Sequence, residues 1–213
     1  MGIEIEPALS CGRADKRDAI LNGAFAVFAE DGYTRAGIGG IAERAGVSTR
    51  TIYNHFRNKA ELFYATISAS TTKVGDAQLA VIDRHFRRIT DLEADLNAFG
   101  VEFTRALQPF AEHFAMMTQV KAERAHIPAE ATENWYRLGP GRVFAAMAEQ
   151  LTELDRAGLL HVADAHRAGR QLLMLLLDGA PGDSSLDPKT PDAIAATVAA
   201  GVKAFLYGHA AGR

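Results

Sequence analysis

The segment from residue 49 to residue 55 carries side chains that can hydrogen-bond to nucleic acid, and it contains no acidic residue that would repel phosphates. Arg50 could make a bidentate contact with guanine, and Tyr53 offers a hydroxyl group on a stiff side chain at phosphate reach. These residue types in one short segment predict contacts to base edges and to phosphates. The predicted DNA-contacting residues of this segment are Thr49, Arg50, Thr51, Tyr53, Asn54 and His55.

Two short helices must position these side chains. Apolar residues at positions 38, 41, 42 and 45 recur at helical spacing and predict a first helix over residues 38–45 that buries this stripe. Gly46 follows directly and suits the left-handed conformation that ends a helix and turns the chain. Ser48 is a good N-cap for a second helix that ends near His55. Two helices joined in this way, with a polar outer face on the second, are typical of a DNA-binding helix-turn-helix.

The start of a third helix predicts a further phosphate contact. Asn58 is a good N-cap, and Glu61 three residues later completes a variant of the capping box. Lys59 lies in the first turn of this helix, where its ammonium group and the unpaired backbone N–H groups could hold one phosphate together.

The charge distribution along the chain also favours DNA binding by the N-terminal part. The 213 residues carry a formal net charge of −3, which taken alone argues against a nucleic-acid partner. Residues 13–60, however, hold eight basic and five acidic side chains, whereas residues 61–213 hold fifteen basic and nineteen acidic ones. A basic head on an acidic body would orient the molecule on DNA.

A motif of fixed spacing extends over the same region, and its positions are Gly32-Tyr33, Ile41-Ala42, Ala45-Gly46-Val47-Ser48, Thr51-Ile52-Tyr53, His55-Phe56, Lys59 and Glu61-Leu62-Phe63. In this motif, and over roughly residues 14–63, the chain resembles the TetR family of transcriptional repressors. The resemblance implies an all-helical homodimer with an N-terminal DNA-binding head and a C-terminal effector-binding body. It also implies that Thr49, Arg50 and Thr51 contact bases, while Tyr53, His55 and Lys59 contact phosphates.

The chain departs from the family pattern just before the first of the two short helices. The family commonly has Thr or Ser there, where this chain has Ala36-Gly37. Gly37 can still cap the helix, and it is included among the predicted DNA-contacting residues, although it lacks the hydroxyl group.

The predicted fold class is all-α, because alanine is abundant and the alternation of a strand is almost absent. We expect a three-helix helix-turn-helix head and a larger helical body for ligand binding and dimerisation. The expected boundaries are a flexible arm over residues 1–13, the DNA-binding domain over 14–60, and the effector-binding and dimerisation domain over 61–213.

Aromatic and methionine side chains are concentrated in the middle of the chain. Each of them alone is explained by ordinary core packing, but as a set in a TetR-like body they could surround an apolar or aromatic small molecule, with His113 or Arg137 as a polar anchor. The predicted ligand-binding residues are Phe103, Phe110, His113, Phe114, Met117, Trp135, Phe144 and Met147.

The last two predicted helices are apolar over more than one face or carry small residues at regular spacing. A buried core helix explains this pattern about as well as a dimer interface does. The family resemblance favours the interface, in which both helices would pack against their two-fold mates. The predicted interface residues are Leu172, Leu173, Leu176, Ala195, Ala199, Val202, Phe205 and Leu206.

Other function classes have little support in the sequence. Residues 37–42 fit the dinucleotide-binding pattern G-x-G-x-x-A, but a helical pattern precedes them where that mechanism requires a strand. We identify no catalytic residues and expect neither a cofactor nor a metal. The expected protein is a cytoplasmic, membrane-free regulator that binds double-stranded operator DNA as a homodimer and responds to a small-molecule effector. The alternatives are a nicotinamide-dependent enzyme that uses Gly37–Ala42, and a DNA-binding dimer without an effector.

Overall fold

The computed structural model describes residues 8–123, 127, 129–177 and 190–209, and these residues form helices with no β-strand among them. The predicted all-α class is therefore confirmed. A short 3-10 turn, Gln108–Phe110, joins the fifth helix to the sixth. In chain order the helices are α1 (Ala8–Arg35), α2 (Ile38–Ala45), α3 (Thr49–His55), α4 (Lys59–Phe86), α5 (Leu92–Leu107), α6 (Ala111–Ala122), α7 (Ala129–Leu138), α8 (Pro140–Arg156), α9 (Ala165–Leu176) and α10 (Pro191–His209).

The chain divides into two compact units, which comprise Met1–Ser70 with Ala115–Asn134, and Thr71–Phe114 with Trp135–Arg213. The first unit contains α1, α2 and α3 together with the first turns of α4 and most of α6. The predicted domain boundary between residues 60 and 61 stays a prediction. None of the helices in the described part of the chain has the length and apolar character that a membrane span requires.

Apolar stripes of α1 to α4 form the core of the first unit. Ile20, Ala24 and Phe28 of α1 are buried, as the helical spacing of these residues indicates. The ring of Phe63 in α4 packs edge-on against the ring of Phe28, with 4.9 Å between the centroids. Burial of a side chain of this size contributes about 1.5–3 kcal/mol, so these contacts hold α1 and α4 together around the short helices.

The predicted flexible arm over residues 1–13 is wrong for its second half, because α1 already begins at Ala8. Residues 1–7 lie outside the described residues. Gly12 is exposed and lies inside the helix. A glycine at such a position costs only about 1 kcal/mol relative to alanine, so it does not end the helix.

Two further helix boundaries differ from the sequence pattern. The segment Val74-Gly75-Asp76 predicts a bend or an end of the helix, but α4 continues through it to Phe86. Gly75 serves packing there, because a Cβ atom at this position would lie 3.1 Å from the carbonyl oxygen of Leu138. The spacing of Thr90 and Glu93 predicts a capping box with Thr90 as the N-cap of α5. The N-cap is instead Asp91, whose side chain accepts a hydrogen bond of 3.0 Å from the backbone N–H of Ala94. The sequence Gly139-Pro140-Gly141 predicts a break or kink, and the structure has a break there, with Gly139 as the N-cap of α8.

The core of the second unit includes several residues for which we predicted other roles. Phe103 and Met147, predicted to bind a ligand, are fully buried in this core. A Cβ atom on Gly100 would lie 2.6 Å from Val198 and 2.7 Å from Leu176, so α5, α9 and α10 approach closely at this glycine. Such close packing leaves no room for a ligand beside Gly100.

The dimer interface predicted on α9 and α10 is wrong for five of its eight residues. Their side chains are at most 2% exposed within the single chain, so they have no surface to offer a partner. The physical reason is that these side chains fill the core between α5, α8, α9 and α10, which the amphipathic pattern alone does not distinguish from an interface. Ala195 and Ala199 are exposed and Leu206 is half-buried. The five buried residues are Leu172, Leu173, Leu176, Val202 and Phe205.

Candidate DNA interface

The turn between α2 and α3 has the geometry that the sequence predicted. Gly46 adopts the left-handed conformation, with φ at 64° and ψ at 32°. Its backbone N–H donates to the carbonyl of Glu43 at 3.1 Å, and the N–H of Val47 donates to the carbonyl of Ala42 at 3.0 Å. These two bonds close the end of α2, and an L-residue with a side chain would be strained at this φ.

The start of α3 is fixed by Ser48. Its hydroxyl oxygen accepts a hydrogen bond of 3.1 Å from the backbone N–H of Thr51, as expected for an N-cap. The hydroxyl groups of Ser48 and Thr51 also lie 2.9 Å apart, so they are hydrogen-bonded to each other. Ile52 is 1% exposed and holds α3 against the rest of the first unit. The cap and this single anchor set the direction in which the polar side chains of α3 project.

The outward face of α3 consists of predicted DNA-contacting residues. Thr49, Arg50, Tyr53 and Asn54 are exposed, and the structure shows no ion pair to any of them within its described residues. Thr51 and His55 are half-buried at the edge of this face. A helix that presents donors in this way can enter a major groove.

The start of α2 is a further predicted DNA contact. Gly37 is its N-cap, with extended backbone at φ −109° and no side-chain hydrogen bond. Gly37 is exposed. The backbone N–H groups in the first turn of a helix have no intrahelical acceptor, so they can donate to an oxygen atom of a ligand.

Lys59 has structural contacts that sequence reasoning missed. Its Nζ atom donates to the carbonyl oxygens of Thr34 at 3.2 Å and Ala36 at 3.0 Å. The same ammonium group lies 4.8 Å from the centroid of the Tyr33 ring, a cation–π distance. Lys59 therefore stabilises the link between α1 and α2, and the phosphate contact predicted for it stays a prediction. The predicted N-cap of α4 is present, because the backbone N–H of Glu61 donates a hydrogen bond of 2.8 Å to Asn58 Oδ1.

Sequence reasoning also missed a basic cluster next to His55. Arg13 and Arg17 of α1 line a cavity of about 390 Å³ together with Ala14 and His55. Burial lowers the pKa of His55, and the positive charges of Arg13, Arg17 and Lys16 lower it further. The available signal was the spacing of the three basic residues at i, i+3 and i+4, which places them on one face of α1.

The dinucleotide-binding pattern at residues 37–42 is not part of a nucleotide-binding fold. The residues before it belong to α1, and the glycines lie at the start and inside α2. The mechanism of that motif requires a strand that feeds the glycine turn. The pattern is therefore a coincidence of three glycines in a short helix.

The remaining predicted ligand-binding residues lie at different depths. Phe110, Phe114, Trp135 and Phe144 are half-buried in the second unit. His113 is 5% exposed, and burial lowers its pKa to about 4, so its imidazole is neutral at neutral pH. Met117, in the first unit, is also buried.

The geometry of α2 and α3 defines a helix-turn-helix protein. Residues 20–66 match the family model described as bacterial regulatory proteins, tetR family. Residues 94–210, more than half of the chain, match the model of the C-terminal domain of AefR-like transcriptional repressors. The chain therefore belongs to the TetR family of transcriptional regulators.

Curated relatives are similar over part of their length. The transcriptional activator FasR of Mycolicibacterium smegmatis is 36% identical over 101 residues, which are 47% of this chain and 42% of that protein. The transcriptional repressor Rv1474c of Mycobacterium tuberculosis is 38% identical over 61 residues, which are 29% of this chain and 33% of that protein. The chain thus spans less than half the length of these relatives.

Solved structures are similar over nearly the whole chain. A structure from Mesorhizobium loti, described as a TetR-family transcriptional regulator, superposes with a TM-score of 0.80 at 23% identity and covers 93% of this chain and 98% of its own. The flavonoid-responsive regulator FrrA superposes with a TM-score of 0.64 at 25% identity and covers 92% of this chain and 98% of its own. These likenesses agree with the fold described above.

Proposed function

We propose that this chain is a transcriptional repressor that binds a palindromic double-stranded operator as a homodimer and leaves it when an apolar or aromatic small molecule binds. The proposal that the chain binds DNA rests on the outward face of α3, a helix capped by Ser48 and anchored by Ile52. The exposed residues of this face are Thr49, Arg50, Tyr53 and Asn54. A regulator of the chromosome acts in the cytoplasm, which is the compartment we propose.

In this proposal the residues of the face have distinct roles. Arg50 makes a bidentate contact with a guanine, and Thr49, Thr51 and Asn54 contact neighbouring base edges. Tyr53, His55, Lys59 and the start of α2 at Gly37 contact phosphates, which position the helix but carry no sequence information.

Two copies of the chain would place their α3 helices in successive major grooves, roughly 34 Å apart. The outer faces of α9 and α10 are the surface we propose for pairing. Met174 is 56% exposed and Tyr207 is 81% exposed, so both helices present a large apolar side chain to solvent. A cavity of about 900 Å³ lies on this surface and is lined by residues that include Arg170, Met174 and Ala204. A second copy of the chain would cover both.

The effector site is proposed in the second unit, near the junction of α7 and α8. Thr71 of α4 is 1% exposed, and its hydroxyl group has no hydrogen-bond partner among the described residues. Its methyl group packs closely against Gly139, where an added Cβ atom would lie 2.5 Å away, so a ligand would have to approach Thr71 from the side of its hydroxyl group. A buried hydroxyl group without a partner costs about 1–3 kcal/mol, which a polar group of a bound ligand would recover. Trp135, half-buried four residues before Gly139, would supply aromatic contact.

The coupling between effector and DNA is proposed to pass through α4. This helix begins in the first unit at Lys59 and continues into the second unit beyond Thr71. An effector that binds the DNA-free dimer more tightly would shift α4 and change the spacing of the two α3 helices. By linkage it would weaken operator binding by the same factor by which the operator weakens effector binding.

Repression rather than activation is supported by the repressor model that matches residues 94–210 and by the repressor Rv1474c. FasR is an activator, so transcriptional activation is the second candidate function for this chain. The flavonoid response of FrrA makes a flavonoid a reasonable first probe for the effector site.

The proposal is tested by selecting DNA from a random library with the full-length protein and titrating the enriched fragment by fluorescence anisotropy. The titration is repeated with flavonoids and other apolar compounds present. We expect a palindromic consensus, nanomolar-range binding typical of specific complexes, and weaker binding when one compound is present. Selection of no DNA, together with a fluorescence change on NAD(H) addition, would replace the proposal by the nicotinamide enzyme. Binding that no compound alters would leave a DNA-binding dimer without an effector.

A further inference from the structure

Three basic side chains of α1 lie on the face of this helix that is next to the end of α3. Arg13, Lys16 and Arg17 are exposed and are spaced i, i+3 and i+4, so they project from one side of the helix. Asp15 and Asp18 are offset by two residues and five residues from Arg13, which places them on the opposite side of a helix with 3.6 residues per turn. The basic face is therefore not interrupted by its neighbours in sequence.

The cluster is a concave surface rather than a row of scattered charges. Arg13, Ala14 and Arg17 line a cavity of about 390 Å³ whose other wall is His55, the last residue of α3. Ala14 is small, which leaves space between the two guanidinium groups and the imidazole ring. The cavity therefore adjoins the outward face of α3 directly.

The three basic side chains at and beside this cavity lack an acidic partner within the described part of the chain, where Arg13, Lys16 and Arg17 form no ion pair. Arg44, by contrast, is paired with Glu30 at 2.8 Å. Arg17 lies 5.4 Å from the centroid of the Phe56 ring, which explains its position but not those of Arg13 and Lys16. Like charges held this close repel each other: the pKa of His55 is lowered first by burial and then further by the charges of Arg13, Arg17 and Lys16.

We propose that Arg13, Lys16, Arg17 and His55 form a binding site for one backbone phosphate of the DNA that α3 contacts. The inference rests on the proposed function and extends the DNA-contacting surface from α3 onto α1. Guanidinium groups suit a phosphate because they can donate two parallel hydrogen bonds to its oxygens. The site carries no sequence preference, so it contributes affinity and salt dependence only.

The expected effect can be stated as a change in salt dependence. Neutralising one phosphate releases counterions into the solution. Each phosphate contact on duplex DNA therefore contributes about −0.9 to the slope of log Kobs, the observed binding constant, against the logarithm of the salt concentration. Loss of one contact should therefore reduce the magnitude of the slope by about 1 and weaken binding about fivefold at about 0.15 M salt.

The test uses the full chain, the DNA fragment enriched with the wild-type protein, and anisotropy titrations between about 50 and 200 mM salt. The main variant is Arg13→Gln with Arg17→Gln, and the matched control is Arg105→Gln, which removes an exposed positive charge from α5 in the second unit. A thermal melt checks the fold. If Arg17→Gln alone lowers Tm through its contact with Phe56, the variants Arg13→Gln and Lys16→Gln decide the question.

We expect the slope and the affinity to fall for the cluster variants, alike on all fragments, and to stay unchanged for the control. A slope equal to that of the control would overturn the phosphate site while leaving DNA binding by α3 intact. Failure of the wild-type protein to enrich any DNA would instead refute the proposed function itself.

A second measurement examines the cluster without DNA. The pKa of His55, followed by NMR titration of the free protein, should rise in the double variant because two neighbouring positive charges are removed. An unchanged pKa would show that these charges do not face His55 and would overturn the site regardless of the DNA result.

Discussion

The carboxylate of Glu123 accepts two hydrogen bonds from Thr34, one from the backbone N–H and one from the hydroxyl group, and both are 2.8 Å long. These bonds tie the residue after α6 to the last turn of α1 across 89 positions of sequence. The carbonyl of Thr34 also accepts a hydrogen bond from Lys59. Within the first unit, contacts from both α4 and the end of α6 therefore hold the link between α1 and α2. A displacement of either helix would move this link.

Gly32 makes the contact with Glu123 possible, and its replacement should destabilise the first unit. Its φ of 76° is unfavourable for other residues, and a Cβ atom there would lie 2.1 Å from Glu123 Oε1. We expect Gly32→Ala to lower the free energy of unfolding by about 1–3 kcal/mol. The measurement is urea denaturation followed by circular dichroism.

The matched control is Gly39→Ala, because Gly39 is exposed inside α2 and an added Cβ atom would meet nothing within 4 Å. That change should stabilise the protein by up to about 1 kcal/mol. Equal effects of the two substitutions would show that neither the backbone conformation of Gly32 nor its contact with Glu123 matters.

Removal of the Ser48 cap should weaken α3. Ser48→Ala leaves the backbone N–H of Thr51 without its acceptor, which should cost about 1 kcal/mol of stability. Ser48→Asp retains a capping oxygen and should keep the stability, but its negative charge next to the outward face of α3 should weaken binding to phosphates. Thermal melts and anisotropy titrations separate these two effects. A melt of Ser48→Ala identical to the wild type would contradict the capping role.

The proposed dimer surface predicts which substitutions give monomers. Met174→Glu together with Tyr207→Glu places charges on the exposed face of α9 and α10. We expect this variant to keep its helical circular dichroism and to run as a monomer in light scattering coupled to size exclusion. The control is Leu159→Glu, at an exposed apolar residue between α8 and α9, and it should remain dimeric.

Leu176, one of the predicted interface residues, is unsuitable as a probe of the interface. Leu176 is 1% exposed in the core, so a charge there would unfold the second unit whether or not the chain pairs. A dimer that survives Met174→Glu with Tyr207→Glu would move the interface away from α9 and α10.

His113 should make the protein less stable in acid. Its folded pKa of about 4 lies below the ordinary value of 6.5, so the unfolded chain binds the proton more readily between these two values. The free energy of unfolding is therefore highest above about pH 6.5, where His113 is neutral in both states. It falls as the pH drops toward 4, by about 3 kcal/mol in total. Urea midpoints measured across this range should fall for the wild type and fall less for His113→Gln. Parallel curves for the two proteins would refute this prediction.

The local features of the head could be predicted from the sequence because each depends on a few neighbouring residues. Gly46, Ser48 and Asn58 have conformational preferences that act over one turn of chain, and the structure places all three as expected. The cap of α9 by Asp164 is of the same kind, since Asp164 Oδ1 accepts from the N–H of Arg167 at 2.9 Å.

Long-range features could not be predicted in the same way. An amphipathic pattern shows that Leu172 and Val202 are buried, but it does not say whether their own chain or a partner buries them. The contact between Glu123 and Thr34 has no local signal at all. The basic face of α1 was visible as a spacing, but its position next to His55 depends on how α1 packs on α3.

The claim on which the account rests is that Arg50 on α3 reads a base. The most direct measurement is the binding energy of wild-type protein and Arg50→Ala for every single-base variant of the enriched operator. We predict that Arg50→Ala costs about 1–3 kcal/mol on the best site and loses discrimination at one base position in each half-site. A uniform loss on all sequences, with every base preference retained, would contradict the account.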